Sequence, residues 1–225
     1  MNTLSKSILP SLVITLCYFS SAYSILPFNT CPQTGEPNKS IISIAQGDIT
    51  KQKDIDAIVN AANFKYLTHP GGIAAAVKKA AGPSWDAEWK QATTNPKFGD
   101  KKDQKRAILT SAHNLTGNNI KYILNAVGPQ GTERDWQSKL KKTYTDALMV
   151  AHENNLTSIA FPAISTGIFA QDASGKTVIT PEIAANTAVE ATQEFLKAHP
   201  KTPLQKISFV VWDAAAFAAY TAALS

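Results

Sequence analysis

Two stretches of this chain place small polar residues and glycine directly after an apolar run. The first is AIVNAAN at residues 57–63, followed by HPGGI at residues 69–73, and the second is PAISTGIF at residues 162–169. This pattern is typical of a buried strand that ends in a loop whose backbone comes close to another molecule. In an open α/β sheet, such strand ends form the ligand crevice. We therefore expect the two loops to face each other across a binding site.

The glycines of these loops suit a phosphate group. Gly71 and Gly72 precede the alanine-rich run at residues 73–81, which favours a helix. A helix N-terminus presents unpaired backbone N–H groups and the positive end of the helix dipole, and both attract phosphate. The loop at residues 165–169 supplies a second set of small residues, so a diphosphate would fit between the two. Either loop alone is more often an ordinary turn, and only the pair carries the prediction.

The overall composition is that of a packed globular protein. The chain has 225 residues, of which 44% are hydrophobic, and a net charge of +5. The basic excess suits an anionic ligand, but lysine and arginine are spread along the chain, so we expect a solvated surface and no specific nucleic-acid site. Cys17 and Cys31 are the only cysteines, and Cys17 lies in a segment that we interpret below as a cleaved signal. The single remaining thiol excludes a cysteine-based zinc site. We expect neither a metal site nor a bound cofactor.

The first 24 residues have the features of a secretory signal. Lys6 supplies a positive charge, residues 8–19 are mostly apolar but too short to span a bilayer, and residues 22–24 have a small-x-small pattern. We interpret residues 1–24 as a cleaved signal peptide. A retained anchor and a disordered extension are the alternatives. The hypothesis predicts a secreted or periplasmic protein with no stable membrane span after cleavage, and we expect a monomer.

Residues 25–225 are predicted to form a linker and one domain. Residues 25–39 contain three prolines and no periodicity, which indicates a linker, and residues 40–225 form the domain. Strands alternating with helices predict a mostly parallel sheet with helices on both faces. The predicted strands are residues 40–45, 56–62, 107–112, 122–127, 158–164 and 207–212. The predicted helices are residues 73–81, a helix capped by Ser84, residues 135–154, a helix opened by Thr180 and Pro181 that runs to residue 197, and residues 214–224.

Two further segments receive structural predictions. Trp85 and Trp89 lie four residues apart on one predicted helix, and we expect both in the core. Residues 97–106 are charged and contain a glycine, which is typical of a surface loop.

Five separated motifs follow one another in an order found in a known family. They are GDIT at residues 47–50, VNAAN at residues 59–63, GGIA at residues 71–74, VGP at residues 127–129 and PAISTGIF at residues 162–169. Over about residues 40–225 the chain resembles the macro domain family, and the loops at residues 67–72 and 167–169 are similar to those of viral macro domains. The resemblance implies a three-layer α/β/α fold with a mixed, mostly parallel central sheet. It also implies a site for ADP-ribose or a mono-ADP-ribosylated protein.

The resemblance also implies a role for each site residue. Asp48 would accept a hydrogen bond from the adenine amino group beside the Ile49 N–H, and Trp212 would lie next to the adenine. Asn63 and Phe169 would contact the distal ribose, the sugar to which a modified protein is attached. The diphosphate would be lined on one side by Gly71, Gly72 and Ile73 and on the other by Ser165, Thr166, Gly167 and Ile168.

Some of these residues also have plain structural interpretations. Asp48 could cap the turn after the first strand, and Phe169 and Trp212 could be core aromatics. Asn60, the first asparagine of the VNAAN motif, is expected to bond buried backbone near the strand end.

Macro domains include enzymes that remove ADP-ribose from proteins and readers that only bind it. One hydrolytic branch carries an aspartate two residues after the second glycine, where this chain has Ala74. The carboxylate that would polarise water there is therefore missing. The viral-like branch hydrolyses without that aspartate, and its local participants would be Asn63, His69 and Phe169. The sequence leaves a hydrolase and a non-catalytic reader both open.

A remote alternative is a P-loop NTPase. Residues 170–177, AQDASGKT, fit a permissive P-loop pattern, and residues 209–213, FVVWD, resemble a strand that ends in a magnesium-binding aspartate. A P-loop needs a strand directly before it and a helix that starts at its Lys-Thr pair. Here the next helix cap is Thr180, so we expect an ordinary loop at residues 170–177.

Overall fold

The fold is built on a single sheet. The computed structural model describes residues 41–63, 71–99 and 104–225. Within them, six strands are arranged in the order β1-β6-β5-β2-β4-β3. They are β1 (Ile42–Gln46), β2 (Ile55–Ala62), β3 (Ala107–Ser111), β4 (Ile120–Val127), β5 (Ser158–Phe161) and β6 (Lys206–Val211). All neighbouring strands pair in parallel except β3, which runs antiparallel to β4 at one edge. The predicted mixed, mostly parallel sheet is confirmed.

Five α-helices of the described residues cover the sheet. They are α1 (Gly72–Ala81), α2 (Pro83–Ala92), α3 (Trp136–Glu153), α4 (Pro181–Ala198) and α5 (Ala214–Leu224). Short 3-10 turns at Ile49–Lys51, His113–Asn118 and Ile168–Ala170 complete the connections. None of the helices in the described ranges is long and apolar enough to cross a membrane.

Hydrophobic side chains form a core on each side of the sheet. On one side, Tyr144 of α3, Phe195 of α4 and Tyr220 of α5 belong to the same cluster. On the other side, Trp85 and Trp89 of α2 are fully buried, with parallel rings whose centres are 6.3 Å apart. Because β2 is buried on both faces, its apolar residues are nearly continuous in sequence. The arrangement is a three-layer α/β/α sandwich, and both tryptophans are core residues as predicted.

The start of α2 differs from the prediction. We expected Ser84 to cap this helix, but α2 begins one residue earlier, at Pro83, and its N-cap is Gly82. Proline suits the first helical position because its missing N–H would have no acceptor there. Gly82, with φ of 87°, ends α1 and begins α2, a left-handed conformation that favours glycine.

The end of β5 and the exposure of Arg106 also differ from the prediction. β5 ends at Phe161, three residues before the predicted limit of residue 164. Arg106, expected at the end of a surface loop, is only 4% exposed, and its Nε donates to Val127 O at 2.8 Å. The middle of that predicted loop, residues 100–103, lies outside the described residues. Arg106 therefore supports the end of β4 from inside the core.

Candidate functional site

The carboxyl ends of five parallel strands meet along one edge of the sheet. β1, β6, β5, β2 and β4 all run in the same direction, so the loops that follow them open on the same side. A cavity of about 400 Å³ lies there, between the start of α1 and the loop after β5. Its described lining residues are Ala61, Asn63, Gly71, Gly72, Ile73, Ala74, Ala163, Ser165, Thr166, Gly167, Ile168 and Phe169. The two motifs from which the site was predicted thus face each other.

One wall of the cavity is the N-terminus of α1. Gly71 is the N-cap and makes no side-chain capping bond, and Gly72 has φ of 59°, in the left-handed region. The first backbone N–H groups of an α-helix have no acceptor within the helix. Gly71 and Gly72 are both exposed and carry no side chain of their own that could cover these donors. This wall can therefore bind an anion through backbone N–H groups and the helix dipole.

The opposite wall is the loop at residues 163–169, and its hydroxyls are already bonded. Ser165, which has φ of 64° and is 6% exposed, donates its Oγ hydrogen to Pro129 O at 2.7 Å. Thr166 Oγ1 donates to Ala163 O at 3.1 Å. Ser165 and Thr166 line the cavity, and their predicted role at a diphosphate stays a prediction. Because both hydroxyls already donate to protein carbonyls, backbone N–H groups are the donors left on this wall.

The residues predicted around adenine lie at the same sheet edge but outside the cavity lining. Gly47 N donates to Val211 O at 2.8 Å, and Gln46 Nε2 donates to Trp212 O at 3.2 Å, so the ends of β1 and β6 are held side by side. This brings Asp48 and Trp212 to one end of the cleft. Trp212 is 71% exposed and is therefore not a core aromatic. Ile49 is only 1% exposed as a whole residue, so it belongs to the core, and its predicted contact with adenine stays a prediction.

One of the two carboxylate oxygens of Asp48 is hydrogen-bonded within the protein. Its Oδ1 accepts hydrogen bonds from Thr50 N at 2.8 Å and Thr50 Oγ1 at 2.7 Å, which caps the 3-10 turn Ile49–Lys51. Among the described residues, Oδ2 accepts no hydrogen bond. The structural interpretation and the ligand-binding interpretation of Asp48 are thus compatible, because each needs a different oxygen.

The described lining of the cavity contains no titratable side chain. Ala74 occupies the position where one branch of macro domains has an aspartate, and Asn63 and Phe169 are the larger side chains on the lining. His69, a predicted catalytic participant, lies outside the described residues, so its role stays a prediction. Any proton transfer by the described lining alone would have to involve the bound substrate itself.

A buried chain of side-chain hydrogen bonds crosses β2, β4 and β3, and it was not predicted correctly. Asn60 Nδ2 donates to Asn125 Oδ1 at 3.0 Å, and Asn125 Nδ2 donates to Thr110 Oγ1 at 3.0 Å. Trp85 Nε1 donates to the same hydroxyl at 3.0 Å. The expectation that Asn60 bonds backbone is therefore wrong. The available signal was that Asn60 and Asn125 both interrupt apolar strands, but their pairing depends on strand register, which local sequence does not contain.

The segment that resembles a P-loop is a closed turn. Asp172 Oδ1 accepts hydrogen bonds from Ser174 N at 2.9 Å, Ser174 Oγ at 2.6 Å and Lys176 N at 3.1 Å. The protein's own carboxylate therefore occupies the N–H groups that would have to bind a phosphate. The next helix starts only at Pro181, so residues 170–177 form the loop expected from the sequence and not a nucleotide cradle.

Comparison with known proteins agrees with this architecture. A family model described as Macro domain matches residues 59–179. The chain is 35% identical over 180 residues to the ADP-ribose glycohydrolase of Archaeoglobus fulgidus, covering 76% of this chain and 85% of that protein. It is 35% identical over 178 residues to the O-acetyl-ADP-ribose deacetylase of Shigella flexneri, covering 78% and 90%. It is also 37% identical over 175 residues to an uncharacterized protein of Thermotoga maritima. That match covers 74% of this chain but only 25% of the other protein's length.

Solved structures show the same fold. The Oceanobacillus iheyensis macrodomain with ADP superposes with a TM-score of 0.67 and 28% identity, covering 80% of this chain and 88% of that chain. The Trypanosoma brucei macrodomain in complex with ADP-ribose gives a TM-score of 0.65 and 26% identity, covering 84% and 73%. The sheet order, the two facing glycine loops and these matches together show that the chain belongs to the macro domain family.

Proposed function

We propose that this protein binds ADP-ribose, either free or attached to a protein side chain. The observation that carries the proposal is the cavity of about 400 Å³ between the N-terminus of α1 and residues 163–169. Its volume lies within the range of roughly 300 to 1,000 Å³ that is usual for small-molecule sites. Both walls offer backbone N–H groups, which suit a diphosphate. The related macrodomain crystallised with ADP-ribose supports the same ligand.

The arrangement of side chains supports one orientation of the ligand. Asp48 and Trp212 lie at the β1–β6 end of the sheet edge, and Asn63 follows β2 and lines the cavity. The adenine would therefore lie beside Asp48, and the diphosphate would lie between the two loops. The distal ribose would contact Asn63 and Phe169.

Hydrolysis of the ADP-ribosyl linkage is the catalytic form of this proposal. It is supported by two relatives whose names describe an ADP-ribose glycohydrolase and an O-acetyl-ADP-ribose deacetylase. The described lining offers no carboxylate, so Asn63, His69, Phe169 and the phosphate of the substrate would have to position the attacking water. The alternative is a reader that binds ADP-ribosylated proteins without cleaving them.

Two measurements on the purified full chain test the proposal. Calorimetry with ADP-ribose should show one saturable site with micromolar affinity, and the absence of binding would overturn the proposed function. Incubation with a mono-ADP-ribosylated protein, followed by mass measurement of the target, should then show release of ADP-ribose. Binding without release would assign the chain as a reader.

We also propose that the protein acts outside the cytosol after removal of residues 1–24. The positive charge, short apolar run and small-x-small pattern of that segment support this location. The N-terminal mass of the protein isolated from producing cells should correspond to a chain that begins at Ile25. Uncleaved precursor found only in the cytosol would contradict the proposal.

A further inference from the structure

The cavity wall opposite α1, the loop at residues 163–169, contacts one turn, residues 128–131, at two points. At the first end, Ser165 Oγ donates to Pro129 O at 2.7 Å. At the second end, Gly131 N donates to Phe169 O at 2.7 Å. The positions of Ser165 and Phe169 relative to the cavity are therefore set by separate contacts with the same turn.

Gly131 is packed directly against the chain that follows Phe169. A Cβ atom at this position would lie 2.8 Å from Gln171 O, 2.9 Å from Gln171 C and 2.6 Å from Val178 Cγ2. These distances are shorter than Cβ contacts in folded proteins, and two of the three atoms are backbone. Because close-packed interiors have few voids, a side chain at residue 131 must push the turn and the backbone at Gln171, two residues after Phe169, apart. The requirement for glycine here is one of space.

The turn itself is held to helix α3. Gln130 N donates to Glu133 Oε1 at 2.7 Å, and Lys139 Nζ, on α3, lies 2.6 Å from Glu133 Oε2. Glu133 thereby connects the turn to a helix whose buried face belongs to the core. The turn therefore positions the cavity wall, although residues 128–131 are not part of the cavity lining.

We propose that Gly131 is a positioning residue for the part of the ligand beyond the diphosphate, acting through Phe169. This inference rests on the proposed function. Phe169 lines the cavity, and its carbonyl is the group that Gly131 holds. The diphosphate walls do not use the contact between Gly131 and Phe169: one wall is the N-terminus of α1, and the other is held by the bond from Ser165 to Pro129. A change at Gly131 therefore weakens contacts to the distal ribose and spares those to adenosine and the diphosphate.

The test compares ADP-ribose with ADP, which lacks the distal ribose. Both are titrated by calorimetry into the full chain, into Gly131→Ala and into the matched control Gly117→Ala. Gly117 is exposed, precedes the amino end of β4, and has no atom within 4 Å of the position of an added Cβ. Gly131→Ala should bind ADP-ribose roughly tenfold more weakly, because Phe169 is displaced from the distal ribose, and ADP within about twofold of the full chain. Gly117→Ala should bind both like the parent.

A second variant covers the case in which Gly131→Ala does not fold. Glu133→Ala removes the acceptor for Gln130 N without adding atoms near Gln171. It loosens the turn at both Pro129 and Gly131, so it should lower affinity for both ligands, and for ADP-ribose more than for ADP, because only ADP-ribose also loses the contact made through Phe169. Equal losses for ADP-ribose and ADP, or parent-like affinities for both in the folded variants, would overturn the positioning role. If the parent chain binds neither ligand, the proposed function itself fails.

Discussion

The two carboxylate oxygens of Asp48 have different proposed roles, and substitutions can test these roles separately. Oδ1 caps the turn at Thr50, and Oδ2 is the acceptor proposed for the adenine amino group. Asp48→Asn keeps an oxygen for the cap but places an amide donor opposite the amino group. Since a hydrogen bond to a charged acceptor contributes about 1.5 to 3 kcal/mol, ADP-ribose affinity should fall at least tenfold in this variant.

Thermal unfolding supplies the control for this prediction. Asp48→Asn should unfold close to the parent temperature, whereas Asp48→Ala should lose both affinity and the cap, which is typically worth about 1 kcal/mol. Calorimetry that showed full ADP-ribose affinity in Asp48→Asn would remove Asp48 from the binding site.

Asn63 provides the sharpest distinction between recognition and catalysis. It follows β2 directly and lines the cavity next to Ala61. If it positions the attacking water, Asn63→Ala should slow release of ADP-ribose by on the order of 100-fold while changing affinity much less, because misplacement of a reacting group mainly affects the transition state. Equal losses in release and affinity, measured in single-turnover and calorimetric assays, would indicate simple recognition.

The segment after β5 depends on a buried tyrosine of α3. Tyr144 Oη accepts a hydrogen bond from Ile164 N at 3.0 Å and lies 3.1 Å from Tyr220 Oη. Burial raises the pKa of Tyr144 to about 12, so the phenol stays neutral near neutral pH. Tyr144→Phe would leave the buried Ile164 N–H without an acceptor, at a cost of about 1 to 3 kcal/mol in the free energy of unfolding.

Tyr220→Phe is the matched control for this contact. It removes the Tyr144–Tyr220 bond but leaves Ile164 N bonded to Tyr144. Urea unfolding should therefore rank Tyr144→Phe as the less stable variant. Tyr144→Phe should also weaken ADP-ribose binding by roughly fivefold, since a looser loop must be ordered on binding, and Tyr220→Phe should not. Equal affinities in the two variants would show that the loop does not depend on Tyr144.

Helix limits were predictable where local chemistry sets them. Thr180 Oγ1 accepts from Ile183 N and Pro181 occupies the first turn of α4, as their types indicate. The prediction failed at Ser84, because Gly82 and Pro83 already supply a complete helix start. It also failed for Arg106, whose burial follows from contacts with Val127 and Thr143, distant in sequence.

In the candidate site, too, features set by local sequence were predictable and features set by distant residues were not. The pairing of the glycine loops at residues 71–74 and 165–169 was predictable, because parallel strands bring their carboxyl ends to one edge. The direction of the Ser165 hydroxyl was not, since its acceptor is Pro129 in a different loop. The partner of Asn60 is likewise fixed by the register of β2 and β4, which places it opposite Asn125.

The sheet as a whole is also stabilised at the edge opposite the cavity, by Asp56. This carboxylate accepts from Thr157 N at 2.6 Å and lies 2.7 Å from Lys121 Nζ, so it joins β2 to the starts of β4 and β5. Burial acts to raise the pKa of Asp56, but the bonds from Lys121 and Thr157 outweigh it and lower the pKa to about 2.

This shift makes the stability of the fold dependent on pH. Because the folded-state pKa lies below the ordinary value, the contribution of Asp56 is full above about pH 4 and is lost as pH falls toward 2. It amounts to about 2 kcal/mol in the free energy of unfolding. Urea unfolding of the parent and Asp56→Asn should therefore differ at pH 6 and converge near pH 2. A constant difference across this range would contradict the assignment.

The claim that connects all of these features is that two glycine-bearing loops at one sheet edge bind a diphosphate between them. The most direct test is a structure of the full chain crystallised with ADP-ribose. We predict that the diphosphate lies between the N-terminus of α1 and residues 165–168, with the adenine beside Asp48 and the distal ribose beside Asn63. Ligand bound at another surface, with neither loop in contact with phosphate, would contradict the account.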